Sequence, residues 1–487
     1  MAMSSASANP SGKNTWYYLN SIIALVLMFG FKYLPPIEPL TSFGMAVVGI
    51  FLGVVYAWAT VSVIWPALLG AIALGFTEFG TVPSVFAQGY GGDTYLFVFF
   101  MLIFAAIIDK AGVSNVIASW AVSRKFAKGK PWVLSTMLLT AAFIIAALIS
   151  VTPAIIICWG ILYQLCKVFG YTNQDKYPKL MVIGIVFAGL MGMAALPFKA
   201  LPVMLMGVLA KQTGIQISFL SFTILASAIG YGGVLGYLAL CKFVFRPDVR
   251  AIQKSDFVME NTIRMNAYQK QVSGLLGLLV VLLFLPGFLP EGPVLAFLKA
   301  LGNTGIVIGI LALVAFIKRK DGSNYVNLVD TIKTGVPWET MILLGTAMPL
   351  ATAMTTKGTG VQELLSQVFT PILGANANPV MFAILILVIT ALLKQFMGGV
   401  VVGMLMVPMA ITYASGIGAN IQMLIVAVSV FCNIAVLLPS AGPLTALLHG
   451  NTEWVSTKEI IKYGTPLVVV VTVIGIIISL TLGNLLF

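Results

Sequence analysis

The chain has 487 residues, 60% of them hydrophobic and 9% charged, with a mean hydropathy of +1.04 and a formal net charge of +12. A soluble protein of this length could not hide so much apolar surface, which excludes a soluble enzyme or binding domain and leaves an all-α polytopic membrane protein. The positive charges sit in short loops between apolar runs, so they report topology and not a nucleic-acid partner.

Residues 1–15 are small and polar and read as a disordered tail. Apolar runs at about 17–35, 41–59, 61–78 and 94–110 read as the first spans, the first of them too long for a cleaved signal peptide. A basic loop at 123–130 follows, then a long apolar segment, 132–168, interrupted at Ser150-Val151-Thr152-Pro153. Spans at about 177–211 and 217–244 close the first half (16–244), and the polar stretch 245–271 is the linker. The second half (272–487) has spans at about 272–289, 296–317 and 338–356, a broken segment at 371–414, and spans at about 419–447 and 463–486. About eleven transmembrane helices are expected.

Placing the basic loops inside the cell puts roughly 21 of the 27 Lys and Arg residues in the cytoplasm. The N-terminus is then cytoplasmic, the C-terminus external, and the expected location is the plasma membrane. The charge count closes only if 132–168 and 371–414 each enter and leave on one side, as re-entrant hairpins. Lys199 and Lys394 fall at membrane depth.

Two interruptions organise the rest. In Leu196-Pro197-Phe198-Lys199-Ala200-Leu201-Pro202 the prolines cannot both lie inside a continuous helix. Lys199 either snorkels to an interface or lines a cavity made by an unwound span. A second interruption, at 438–445, is Leu438-Pro439-Ser440-Ala441-Gly442-Pro443-Leu444-Thr445. Asp93-Thr94 and Glu339-Thr340 open corresponding spans, Gly112 and Gly358 follow them, and the hairpin tips Ser150-Val151-Thr152 and Gly398-Gly399-Val400 come next. This order indicates duplication, and the opposite entry sides of the hairpins indicate two inverted repeats. Helix N-termini at the tips and breaks would offer N–H groups to an anion.

Three stretches carry a resemblance to the divalent anion:sodium symporter family of the ion transporter superfamily: Leu96 to Gly112, Ser150-Val151-Thr152, and Leu438 to Gly450. The resemblance spans about 40–487 and implies a homodimer that carries dicarboxylates, tricarboxylates or sulfate with sodium by an elevator motion. It also implies where the chain departs from the pattern. Val151 stands where the first tip has Asn, and Gly398-Gly399-Val400 keeps none of the second tip's residues. Gly442 and Thr445 replace Thr and Asn in the second break, and Gln395, beside Lys394, replaces Glu. Sodium ligands are mostly gone and two lysines stand nearby, so exchange or proton coupling is expected in preference to sodium, and sodium is the alternative coupling ion.

The candidate substrate-binding residues are Ser150, Val151, Thr152, Lys199, Lys394, Gly398, Gly399, Val400, Gly442 and Thr445. Ser150 and Thr152 could equally cap a helix, and Gly398-Gly399 could serve helix packing. His449, the chain's single histidine, reads as an interfacial residue or a proton-coupling group. Cys158, Cys166, Cys241 and Cys432 form no CxxC pair, so no disulfide, metal or other cofactor is expected. Neither a nucleophile–base constellation nor a GxxxxGK[ST] motif is present, which argues against an enzyme or an ATP-driven pump. A secondary carrier for a small anion is the leading reading, and a cation/proton antiporter of the same superfamily is the alternative.

Overall fold

The computed structural model describes residues 15–487 apart from 123–128, 255–263, 319–323, 357, 362, 365–366 and 368–377. The N-terminal tail, most of the 123–130 loop and the start of the segment at 371 lie outside the described residues.

The described residues are helical, with an isolated bridge between Lys318 and Asn324. In chain order the main helices are α1 (Thr15–Gly30), α2 (Ser42–Thr60), α3 (Ile64–Leu74), α4 (Val82–Tyr90), α5 (Asp93–Lys110), α6 (Val113–Val122), α7 (Pro131–Leu148), α8 (Val151–Phe169), α9 (Lys176–Ala194), α10 (Ala200–Thr213) and α11 (Phe219–Ala239). They continue as α12 (Ala267–Phe284), α13 (Pro293–Phe316), α14 (Leu328–Gly335), α15 (Trp338–Met354), α16 (Pro379–Leu393), α17 (Gly399–Ile417), α18 (Ile421–Phe431), α19 (Pro443–Gly450) and α20 (Thr457–Ile478).

Eight of the described helical stretches are long and apolar enough to cross a membrane. Several of the expected spans are instead short helices: 61–78 contains only the eleven residues of α3, and the run at 419–447 is split into α18 and α19. The same succession occurs twice at an offset of about 245 residues. A short capped helix (α4, α14) leads into a helix opened by an acid (α5 by Asp93, α15 by Glu339). A helical hairpin (α7–α8, α16–α17), a broken span (α9–α10, α18–α19) and a long helix (α11, α20) follow.

The chain folds into two compact units. The first takes residues 1–92 and 338–369, and therefore α1 to α4 with α15. Thr41 caps α2 by accepting from the Gly44 N–H (3.0 Å) and donates to the Gly358 carbonyl (2.8 Å). α1 lies close against α2 because Gly49 and Gly53 carry no side chain; a Cβ there would stand 2.2 Å from Phe31 Cβ and 2.6 Å from Met28 Cγ. α15 meets α4 in the same manner, with the Gly345 carbonyl 1.7 Å from where a Gly89 Cβ would be.

The second unit takes residues 93–337 and 370–487. α9 is its buried axis, enclosed along nearly its whole length, and α18 is enclosed along its length. α7 packs on α9 where Gly192 faces the Phe143 carbonyl, and the Tyr237 hydroxyl of α11 donates to the Leu180 carbonyl of α9 (2.7 Å). α5 packs with α13 and α14; Thr304 Oγ1 donates to Asp93 Oδ1 (2.6 Å) and Lys110 pairs with Asp330 (2.6 Å).

Candidate functional site

The first hairpin turns at Ile149 and Ser150. Ser150 is extended (φ −152°, ψ 144°) and α8 starts at Val151, with Pro153 in its first turn where a missing N–H costs nothing. The Ser150 side chain makes no capping bond, so the N–H groups of α8's first turn are left to other partners. Thr152 is exposed on that turn. Val151 turns the other way, its Cγ2 lying 3.2 Å from where a Gly189 Cβ would be on α9.

The first break is shorter than the two prolines imply. α9 ends at Ala194 and α10 begins at Ala200, so Pro197 lies in the break but Pro202 sits in α10's first turn. Lys199 is the N-cap of α10 in extended conformation, and its side chain gives no cap. Its Nζ reaches the first tip instead and donates to the Ile149 carbonyl (2.8 Å).

The second hairpin turns over Lys394 to Gly398, and α17 begins at Gly399 with Gly398 as an uncapped N-cap. Lys394 is 5% exposed. Its Nζ donates to the Met397 carbonyl within the tip (3.2 Å) and to the Ala441 carbonyl in the second break (2.5 Å). The ion pairs among the described residues are Lys110–Asp330, Lys179–Glu459 and Arg250–Asp248, so neither Lys199 nor Lys394 has a carboxylate partner there.

The second break opens earlier than Pro439 requires. α18 ends at Phe431, although no Pro or Gly lies between it and Leu438. The cause comes from the hairpin: buried Gln395 donates to the Ala391 (2.9 Å) and Ile434 (2.5 Å) carbonyls and accepts from the Val436 and Leu437 N–H groups (3.4 Å each). One amide thus supplies partners that helix bonds would otherwise provide. A 3-10 turn at Pro439–Ala441 follows, then Gly442 at φ +154°, a conformation that favours glycine, and α19 begins at Pro443 with no side-chain cap.

The two tips and two breaks are contiguous. Lys199 joins the first break to the first tip, and Lys394 joins the second tip to the second break. Between these pairs, Gly399 lies against the Cys432 carbonyl and near Leu201 Cδ2, so that a side chain there would collide with the carbonyl. Gly403 meets Leu205 and Leu201 in the same way. The structure therefore gathers Ser150, Lys199, Lys394, Gly398, Gly399 and Gly442 with the uncapped N-termini of α8, α10, α17 and α19. Val400 is half-buried in the first turn of α17. Thr445 is buried in the first turn of α19, ahead of the first intrahelical bond, which runs from the Ala446 N–H to the Gly442 carbonyl. Gln395 and His449 were not among the expected site residues; Gln395 lies inside the second tip, and His449 is buried on α19.

Uncapped helix starts present N–H groups and a positive dipole end, and two lysine side chains add N–H donors that carry positive charge when protonated. Such a cluster suits a small anion with more than one negative group. A helical membrane fold with paired hairpins and broken spans around a cluster of lysines and helix N-termini fits a secondary transporter of carboxylate or anion type.

The comparisons with known proteins agree. The sequence model of the citrate transporter family (CitMHS) matches residues 54–431, and the chain belongs to that family. Among solved structures it is similar to the YdaH transporter of Alcanivorax borkumensis, described as having an unusual topology. That match has a TM-score of 0.58 at 13% identity and covers 91% of this chain and 98% of that one, so it shows the fold. No curated protein matches the chain.

Proposed function

We propose that the protein carries a di- or tricarboxylate across the plasma membrane, with citrate the first candidate and sulfate the inorganic alternative. Transport uses an elevator-type motion in a homodimer and is coupled to exchange or to protons in place of sodium. The observation that carries this reading is the pair of lysine ammonium groups, each without a carboxylate partner among the described residues, set beside four uncapped helix N-termini. Fixed ammonium groups supply the positive charge that sodium supplies in the family the sequence resembles. A carboxylate can accept from the N–H bonds of Lys199 and Lys394 that the backbone carbonyls leave free. The family match to citrate transporters supports the substrate class.

The test is uptake into proteoliposomes of citrate, a dicarboxylate panel and sulfate, each with and without a sodium gradient and with citrate preloaded inside. Citrate counterflow that persists without sodium is the expected result. Strict sodium dependence, with Lys199→Ala still active, overturns the lysine reading. The orientation is tested by impermeant-thiol labelling of single cysteines at Lys254, expected inside, and Lys299, expected outside.

A further inference from the structure

The second break leads into a buried titratable group that the lysine reading leaves unused. On α19, residues 445 and 449 lie one turn apart on one face. Thr445 is 1% exposed and His449 8%. The His449 Nδ1 is 3.3 Å from Thr457 Oγ1, at the start of α20. Its Nε2 is enclosed and has no hydrogen-bond partner among the described residues. A buried polar nitrogen left unpaired is costly, and folded proteins keep such groups where a proton, a water or a ligand completes them.

Several titratable groups on the elements around α19 are engaged elsewhere. From α9, Lys179 pairs with Glu459 of α20 (2.6 Å), and Tyr177 shares a hydrogen bond with Ser135 (2.9 Å). From α8, the Tyr163 hydroxyl accepts from Asn451 Nδ2 (2.6 Å) and its ring stacks on Trp454 (4.6 Å). Lys176 donates to the Phe245 carbonyl (2.8 Å). Lys394 donates to Met397 and Ala441, Cys432 is buried at the start of the break, and Glu453, Lys458 and Lys462 lie on the loop before α20 and on its first turns.

We infer that His449 is the residue that takes up the coupling proton when a substrate anion binds at the N-terminus of α19. The inference rests on the transporter reading above. His449 lies about 10 Å along the helix from Gly442, close enough in a low-dielectric interior for a seated anion to favour the imidazolium. Nε2 receives the proton from water on the side where the site is open and returns it to water on the other side when the anion leaves. Imidazole is suited to this exchange because it changes charge in the physiological range. Binding and protonation are reciprocal, so substrate must tighten proton binding by the factor by which protons tighten substrate binding.

Because the chain has a single histidine, the protein labelled with 15N-histidine and purified through a histidine-free tag gives the side-chain nitrogen signals of that residue alone. The expected result is a titration that moves to higher pH when citrate is added. Citrate Kd should fall as pH falls, by about tenfold per pH unit between the two titrations, and His449→Gln should flatten that slope. The variant should keep citrate counterflow while losing accumulation driven by a pH gradient. A ring whose titration citrate does not move, or a variant that still accumulates citrate on a pH gradient, overturns the inference. Should His449→Gln fail to fold, the titration of the unaltered protein decides alone. Absent counterflow in the unaltered protein would instead overturn the transporter reading.

Discussion

The two tip–break pairs of the second unit solve one problem with opposite placements of charge. In the first half the lysine is on the break, at the N-cap of α10, and the carbonyl it holds is that of Ile149, the C-cap of α7, at the tip. In the second half the lysine is on the tip, at the C-cap of α16, and the carbonyl is Ala441, next to the N-cap of α19. The join between the end of a hairpin limb and the start of the post-break helix is kept, while the ammonium has changed sides. Each half thus bridges tip and break with a lysine, supplied by the break in one and by the tip in the other. The pairs also differ in tightness, since Lys199 makes one bond to carbonyl and is half-buried whereas Lys394 makes two and is almost fully enclosed.

That difference orders the effects of breaking each pair. Lys394→Ala removes two charge-assisted bonds and leaves buried carbonyls unpaired; at about 1.5–3 kcal/mol per bond it should lower Tm measurably and abolish uptake. Lys394→Arg should rescue poorly, because a planar fork does not fit a site shaped for a compact ammonium. Lys199→Ala loses one bond, about 1.5–3 kcal/mol, and is expected to yield a folded protein whose citrate affinity, read by calorimetry, is weakened tenfold or more. Equal thermal losses for the two variants would contradict the asymmetry.

The second tip offers a finer comparison between neighbouring glycines. A Cβ on Gly399 would stand 2.4 Å from the Cys432 carbonyl, so Gly399→Ala should destabilise by about 1–3 kcal/mol in a denaturation assay. Gly398 has open space and an ordinary φ of −61°. Gly398→Ala should leave stability within about 0.5 kcal/mol and lower citrate affinity, if an anion approaches that backbone. The smallest effect is expected at the first tip. Ser150→Ala with Thr152→Val removes no capping bond, so stability should hold while the transport KM rises severalfold. An unchanged KM would leave the first tip to its backbone and Lys199.

The hairpin tips and first break were legible because Pro, Gly and a lone Lys in an apolar run have local consequences that need no partner. Pro197 stops α9 and Pro153 fixes the start of α8 from their own geometry. The second break was legible only in part. Pro439 marks its end, but α18 stops before it because Gln395, 39 residues away in sequence, bonds the Ile434 carbonyl. No local pattern encodes that contact. The early start of α20 could have been found: Ser456 and Glu459 form a capping box, a signal readable from spacing alone. The enclosure of His449 could not, since it depends on how α19 meets α20 after the chain has folded back.

The division of helices between the units has a consequence for the order in which the chain is made. α5 closes the first half's opening set, yet it packs with α13 and α14 in the second unit, while α15 returns to complete the first. Neither unit is finished when the ribosome passes the linker. At about 5–20 residues per second, α5 waits roughly 10–40 s inside the insertion machinery or the bilayer for its neighbours to be synthesised. During that interval the faces of α5 that will meet α13 and α14 have only lipid or a holding chaperone to cover them. Maturation of this protein should therefore depend on late events, with a nascent chain arrested before residue 293 remaining sensitive to protease and full resistance acquired only when α16 to α20 complete the second unit.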